Sequence, residues 1–174
     1  MQKISLITTG GTIEKTYDEQ TGNLENRRSI VRQMLHRLRL ESTHINIVEL
    51  MSKDSLDLDD LDRQHICQTV RDLADSQDCS TLTTGIVILH GTDTLEKTGA
   101  ALHDSLPNPR IPIILTGAMR PYEMTHPDAL QNLTEAIFAT GVLKPGVYCV
   151  IHNKALRFPG VTKDRSKGTF VYQS

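Results

Sequence analysis

Five short apolar runs, set apart along the chain and each followed by polar or turn-forming residues, constrain the fold most strongly. They are rich in Ile and Val and nearly continuous, which is typical of strands buried on both faces of a parallel sheet. Longer amphipathic segments separate them, so we predict an α/β protein: a three-layer αβα sandwich with a mostly parallel, flavodoxin- or Rossmann-like sheet. The runs are Ile4–Ile7, Ile45–Leu50, Ile86–Leu89, Ile111–Leu115 and Val147–Ile151.

Four segments carry apolar residues at helical spacing, and each is predicted to pack one face on the sheet. The polar tail after Asn153 contains a proline and two glycines and is expected to be an ordered loop rather than another βα unit. A chain of 174 residues is expected to form one domain, covering residues 1–174. The predicted helices are Arg28–Leu40, Leu58–Leu73, Thr94–Leu106 and Asp128–Thr140.

Composition excludes several classes of function. The net charge is −2, aromatic residues make up 4% of the chain and Trp is absent, so nucleic acid is not an expected partner. The histidines lack zinc-site spacing and no C-x-x-C occurs, so no metal and no cofactor are expected. Cys67, Cys79 and Cys149 are predicted to be buried thiols in a reducing compartment. Without a signal-peptide pattern or an apolar run of membrane-spanning length, a cytoplasmic protein with no membrane contact is expected.

The opening loop, Gly10-Gly11-Thr12, follows the first predicted strand. Ligands of open α/β sheets bind outside the carboxyl ends of the strands, so such loops are the places to search. A phosphate loop would need a helix directly after the glycines, but the polar, turn-rich stretch from Glu14 to Gly22 follows instead. The loop is either a tight turn with an incidental threonine or a turn that presents Thr12 to a ligand.

Three other stretches follow predicted strands. In His90–Lys97, Asp93 and Glu96 could form a helix cap, which would leave Gly91 and Thr92 unexplained; a hydroxyl beside a carboxylate could also serve catalysis. The acidic stretch Asp54–Asp62 fails as a calcium loop, since Asp62 and Gln68 stand at the sixth and twelfth positions counted from Asp57, and it is predicted to open a helix. The third stretch is Leu115–Pro121. No G-x-S-x-G occurs, so a hydrolase of this sequence would more plausibly use threonine.

Taken in order, five motifs resemble those of the bacterial-type L-asparaginases, and together they extend over nearly the whole chain. The resemblance implies hydrolysis of L-asparagine to L-aspartate and ammonia through a threonine acyl-enzyme, with no metal and no cofactor. The motifs are Thr9–Ile13, Asp54–Asp57, His90–Thr94, Leu115–Pro121 and Val161–Asp164.

The resemblance also implies a role for each site residue. Thr12 would be the primary nucleophile, activated by Tyr17 or, as an alternative, Tyr122. A second set of hydroxyl, carboxylate and base would be formed by Thr92, Asp93 and Lys163. Ser55 would hold the substrate's α-carboxylate and Asp93 its α-amino group. The remaining implied substrate-binding residues are Gly11, Gly91, Thr92 and the backbone of Ala118.

Members of this family usually carry a second, smaller C-terminal domain, and the resemblance covers the N-terminal domain only. A short form that keeps only this domain is expected, with a truncated longer protein as the alternative. A homodimer or a dimer of dimers is expected to close the site, and the segment Thr12–Tyr17 is predicted to act as a lid. Three other functions stay open: a mixed glutaminase-asparaginase, a component of a tRNA-dependent amidotransferase, and a non-catalytic amino-acid-binding module.

Overall fold

The computed structural model describes residues 1–76 and 82–173 and is built around a six-stranded sheet. Five strands run parallel, and the sixth pairs antiparallel at one edge. In spatial order the strands are β4 (Thr43–Lys53), β1 (Gln2–Gly10), β5 (Gly85–Leu89), β6 (Pro112–Thr116), β7 (Gly146–Ile151) and β8 (Lys154–Arg157).

The order of the five parallel strands confirms the predicted flavodoxin-like sheet. Numbered by their own sequence, they follow the order 2-1-3-4-5, in which β1 and β5 lie side by side although the chain leaves them in opposite directions. A crevice opens where the strand order reverses in this way, outside the carboxyl ends of the two strands. The residues that follow β1 and β5 are therefore the first place to look for a ligand site.

Helices cover both faces of the sheet, as predicted for a three-layer sandwich. One face packs against α1 (Val31–Leu35) and α4 (Ala129–Val142), and the other against α2 (Asp60–Asp75) and α3 (Leu95–Ser105). The central strands β5, β6 and β7 are fully buried, which explains their nearly unbroken apolar sequences. A capping box formed by Asp59 and Asp62 begins α2, so the acidic stretch does open a helix.

Two predicted elements differ from the structure in length or burial. The helix predicted over Arg28–Leu40 is only one short α-helix, α1, because the chain tightens into i→i+3 turns at Arg37 and Leu38 while their neighbours still pack on the core. Strand β4 is an edge strand whose residues are at most half-buried: Ile45 and Ile47 pack on one core cluster and Val48 and Leu50 on the other.

The tail after Asn153 adds no further βα unit, as predicted, but the prediction that it is a loop is wrong. It forms β8 and then an antiparallel pair, β9 (Val161–Asp164) with β10 (Thr169–Tyr172). Its short strands contain only a few buried apolar residues, among them Leu156, Val161 and Phe170, and the others are mostly half-buried or exposed, so the apolar signal in the sequence is weak. A second small hairpin pairs β2 (Thr16–Tyr17) with β3 (Leu24–Glu25).

Cys67 and Cys149 are buried free thiols, as predicted, and burial raises the pKa of both. Cys79 lies outside the described residues. In the described ranges, no helix combines the length and the apolar character needed to cross a membrane. Those ranges also contain no cluster of three or more potential metal ligands.

Candidate active site

The loops that follow β1 and β5 touch through their glycines at the crevice. A Cβ added to Gly11 would lie 2.4 Å from the Cα of Gly91, and Gly11 has a φ of +84°, a conformation that side chains rarely adopt. A Cβ on Gly91 would lie 2.5 Å from the Cβ and the Oγ of Ser55. The glycines therefore allow the segments bearing Thr12, Thr92 and Ser55 to meet in one place.

Ser55 begins a 3₁₀ turn after β4, and its hydroxyl is buried without a hydrogen-bond partner among the residues that the structure describes. A buried, unsatisfied hydroxyl is costly unless something pairs with it, which makes it a ready donor to a ligand carboxylate. The turn is fixed from both sides: Asp54 accepts from the backbone N–H of Leu56, and Thr94 donates to the Ser55 carbonyl at 2.8 Å.

The centre of the site is a contact between three groups from two distant segments. The Nζ of Lys163, in β9, lies 2.8 Å from the hydroxyl of Thr92 and 2.8 Å from a carboxylate oxygen of Asp93. Only 12% of the Lys163 side chain is exposed. Hydrogen bonding to Lys163 is the largest influence that lowers the pKa of Asp93, with Arg165 contributing in the same direction, so the carboxylate is charged at neutral pH.

Glu96 fixes the strand that carries Lys163. One oxygen of its carboxylate accepts from the hydroxyl of Thr162 at 2.7 Å and from the backbone N–H of Lys163 at 2.8 Å. The helix cap predicted from Asp93 and Glu96 is wrong. Thr94 is the N-cap of α3 and makes no side-chain cap bond. The carboxylates of Asp93 and Glu96 are turned toward β9 and the turn after it. Sequence reasoning does not find this role because it does not predict β9.

Replacing Glu96 by alanine is expected to lower kcat/KM by about 10- to 100-fold, because Lys163 then loses its fixed distance from Thr92. Glu96→Gln is expected to keep most of the activity, since its amide oxygen can still accept both bonds. Release of ammonia from L-asparagine, the reaction that the family resemblance implies, and thermal denaturation measure the two effects. The control is Glu135→Ala, which removes a carboxylate that accepts the Asn153 N–H at 2.8 Å in another part of the fold. Equal losses for both alanine variants would contradict the assignment.

The loop that carries Ala118 is held by a buried polar network. The Asp128 carboxylate accepts from the backbone N–H groups of Met119 and Arg120, and Asn132 donates to the Gly117 carbonyl at 2.9 Å. The Nε2 of His152 lies 2.7 Å from an oxygen of the same Asp128 carboxylate. Ala118 is thereby fixed and fully buried. The only signal for this network in the sequence is Asp128 at the start of a predicted helix.

Thr12 begins a single 3₁₀ turn, Thr12–Glu14, directly after the glycine pair. It is half-buried, and none of the hydrogen bonds within residues 1–76 and 82–173 involves its hydroxyl. Two residues on, Glu14 is buried and accepts a hydrogen bond of 2.5 Å from the hydroxyl of Ser29. Burial raises the pKa of Glu14 to about 7, so this carboxyl, which ties the Thr12 turn to the start of α1, titrates near neutral pH.

Glu14→Gln is expected to stabilise the protein at high pH and to change little at low pH. Because folding raises the pKa of this carboxyl from 4.5 to about 7, the protein becomes less stable as the pH rises through that window. Above this window, ionisation of Glu14 lowers the free energy of unfolding by about 3 kcal/mol. The neutral amide of glutamine has no such effect. Urea denaturation of both proteins at about pH 5 and about pH 8 tests this. Glu19→Gln, at an exposed position of the same loop, is the control; a pH-independent difference would contradict the prediction.

Tyr17 lies on the β2–β3 hairpin, and 59% of it is exposed. Its backbone N–H donates to Glu123 at 2.8 Å, and just before it Lys15 forms an ion pair of 2.6 Å with Asp54. The described contacts do not bring its hydroxyl to Thr12, so its activating role stays a prediction. Tyr122, the alternative, packs on the core beside α1 and α4.

Two further groups near the crevice are structural. His90 is fully buried, contacts the hydroxyl of Thr98 at 2.8 Å, and has a pKa lowered to about 4 by burial, so it is neutral at physiological pH. The backbone N–H of Gly11 donates to the Lys53 carbonyl at 2.9 Å and is not free for a ligand in this structure. The substrate-binding roles expected of Gly11, Gly91 and Ala118 stay predictions.

Comparison with known proteins gives a consistent result. The family described as "Asparaginase, N-terminal" matches residues 3–174. An L-asparaginase of Thermococcus kodakarensis is 31% identical over 172 residues, which are 99% of this chain and 51% of that protein. A solved structure of the thermostable L-asparaginase from the same organism has a TM-score of 0.82 at 29% identity, covering 98% of this chain and 51% of that one.

A second kind of relative also appears. A glutamyl-tRNA(Gln) amidotransferase component from Methanobrevibacter smithii is 32% identical over 140 residues, which are 79% of this chain and 30% of that protein. The chain thus spans about half the length of the L-asparaginase that it matches and 30% of the length of the amidotransferase component.

Proposed function

The chain belongs to the asparaginase family through that family's N-terminal domain, and on this basis we propose that it is an amidohydrolase that converts L-asparagine and water to L-aspartate and ammonia. The observation that carries the proposal is the contact of Lys163 with both Thr92 and Asp93, at 2.8 Å each. An amine that contacts both a hydroxyl and a carboxylate, at the crevice where α/β sheets bind ligands, supplies the parts that acyl transfer requires.

In the proposed mechanism, the hydroxyl oxygen of Thr12 attacks the side-chain amide carbon. A C–O bond forms and, as the tetrahedral adduct collapses, the C–N bond breaks and ammonia leaves with the proton given up by threonine. Water then adds to the acyl ester and releases aspartate and the free hydroxyl. Thr12 is taken as the nucleophile because of the family resemblance, and its place directly after the Gly10–Gly11 turn supports this.

Thr92 and Lys163 form the proton-transfer pair of the proposal. A lysine can accept a proton only as the neutral amine, so the ammonium must first pass a proton to solvent or to the leaving group. Once neutral, the amine would draw a proton from Thr92, which could in turn receive one from the attacking water. The Asp93 carboxylate would stabilise the ammonium that results, at 2.8 Å.

Substrate binding is assigned to two anchors. The unpartnered Ser55 hydroxyl would donate to the α-carboxylate, and Asp93 would accept from the α-ammonium. Gly11, Gly91, Thr92 and the backbone of Ala118 would line the space between them. The segment from Thr12 to Tyr17, tied to Asp54 through Lys15, would close over the ligand as a lid. We further propose a homodimer or dimer of dimers and a cytoplasmic location.

Measurement of ammonia release from L-asparagine, with L-glutamine run beside it, tests the proposal directly. We expect turnover of asparagine above turnover of glutamine, a preference that rests on one methylene and about 1–3 kcal/mol of discrimination. Comparable rates would indicate the mixed glutaminase-asparaginase. No ammonia from either amide would reject both enzymes and favour the amino-acid-binding module, for which aspartate binding by calorimetry would be the test.

The similarity to the glutamyl-tRNA(Gln) amidotransferase component supports a second candidate, an ammonia-releasing protein that acts with a tRNA-dependent partner. The net charge of −2 argues against direct contact with tRNA by this chain. Hydrolysis of free asparagine by the isolated chain would favour the first proposal, whereas activity that appears only with an added amidotransferase partner would favour the second.

A further inference from the structure

Asp93, the group proposed to hold the substrate's α-ammonium, already binds two cations of the chain itself. The same carboxylate oxygen that contacts Lys163 also accepts from Nη1 of Arg165 at 2.9 Å. Lys163 is shared with Thr92 and belongs to the proton-transfer pair. Arg165 has no such second role: within the described parts of the chain, its ion pair is with Asp93 alone.

Arg165 is presented by a turn that is well defined. It stands between β9 and β10, directly after Asp164, whose carboxylate accepts from the backbone N–H groups of Ser166 and Lys167 and from the Ser166 hydroxyl. Glu96 fixes the preceding part of the same strand through Thr162 and Lys163. The guanidinium therefore approaches Asp93 from a built turn, yet 69% of its side chain remains exposed and it can move away into solvent.

The charges at this point oppose an incoming ammonium. The Asp93 carboxylate and the two cations that contact it, Lys163 and Arg165, together carry one positive charge. The substrate's ammonium would be a third cation and would have to displace the most exposed one. The other nearby carboxylate, Asp54, is likewise occupied, by Lys15 at 2.6 Å. Displacement of an exposed ion pair is a small barrier, since such pairs contribute little to stability.

We propose that Arg165 is a specificity-determining residue that competes with the substrate's α-ammonium for Asp93, and so reduces the advantage of amides that carry this group over amides that lack it. The proposal rests on the proposed function, because it concerns substrate recognition at the same site. The alternative is that Arg165 binds the substrate's α-carboxylate. The unpartnered Ser55 hydroxyl is the better candidate for that group, because Arg165 is already engaged with an anion.

The test compares L-asparagine with succinamate, which has the same amide and carboxylate but hydrogen in place of the α-ammonium. For Arg165→Gln, the ratio of kcat/KM for asparagine to that for succinamate is expected to rise about two- to fivefold, chiefly through a lower KM for asparagine. The same ratio for Arg165→Lys, which keeps the positive charge, should lie between the ratio for Arg165→Gln and that for the unchanged protein. An unchanged ratio, or a higher KM for both substrates as carboxylate binding by Arg165 requires, would overturn the proposal.

The control is Lys167→Gln, which removes one positive charge from the same turn at an exposed side chain that pairs with Asp164 instead of Asp93. A rise in the ratio for this variant as well would assign the effect to net charge and overturn the role of Arg165. Calorimetric binding of L-aspartate against succinate gives a readout that does not need turnover. Arg165→Gln should strengthen aspartate binding relative to succinate, even if the unchanged protein releases no ammonia and the proposed function fails. Equal effects on the two ligands, or binding of neither, would overturn the inference.

Discussion

Replacing Thr12 by alanine is expected to lower kcat/KM for L-asparagine by about 10⁴-fold or more, as loss of a nucleophile does in acyl-transfer enzymes. The change removes only the hydroxyl and one methyl group from a half-buried position. The backbone bonds of the turn, from Glu14 to the Gly11 carbonyl and from Lys15 to the Thr12 carbonyl, do not use the side chain. The fold and aspartate binding should therefore survive, which calorimetry can verify beside the ammonia assay.

Thr12→Ser keeps a hydroxyl on the same carbon, Cβ, and is expected to have activity within about tenfold of that of the unchanged protein. This pair of variants also separates the two threonines of the site. The hydroxyl with a hydrogen-bonded amine is that of Thr92, so geometry alone would favour Thr92 as the nucleophile, whereas the family resemblance favours Thr12. Acid quenching during turnover, followed by peptide mass spectrometry, locates the acyl group. An acyl group on Thr92, or Thr12→Ala with more than a tenth of normal activity, would refute the assignment.

Lys163→Met should produce the second largest loss, about 10²- to 10⁴-fold in kcat, which is the usual contribution of a positioned acid or base. Methionine keeps an unbranched chain of similar length but cannot exchange a proton or neutralise Asp93. Lys163→Arg separates these two tasks: it keeps the charge beside Asp93 but cannot lose its proton at working pH. We expect both variants to be similarly inactive, because the role of Lys163 toward Thr92 requires the neutral amine.

Lys15→Met is the matched control for Lys163. Lys15 also pairs with a carboxylate near the crevice, Asp54, and is comparably shielded, with 22% of its side chain exposed. Its proposed task is to hold the lid, so its loss should change KM more than kcat and stay within about tenfold. Recovery of activity in Lys163→Arg would assign an electrostatic role to Lys163. A larger loss of kcat in Lys15→Met than in Lys163→Met would reject the base role altogether.

The sheet could be predicted closely because its central strands are buried on both faces. Gly85–Leu89 and Pro112–Thr116 have no exposed residue, so their sequences must be apolar throughout and the pattern cannot be mistaken. The short α1 and the strands after Asn153 could not be predicted in this way. The packing of these elements depends on a few contacts with the rest of the fold, such as that of Phe170 in the core, and not on a periodic pattern of their own.

The amino-acid sequence was sufficient for the α/β class and for the residues to examine at the carboxyl ends of the strands. It was sufficient because the topology alone brings polar residues that directly follow buried strands to one edge of a parallel sheet. How these residues combine depends on the folded chain. Lys163 reaches Thr92 across 71 positions of sequence because an unpredicted strand, fixed by Glu96, carries it there. Likewise, the second cation on Asp93 depends on where one turn places Arg165, and contacts between such distant segments leave no local pattern from which they could be read.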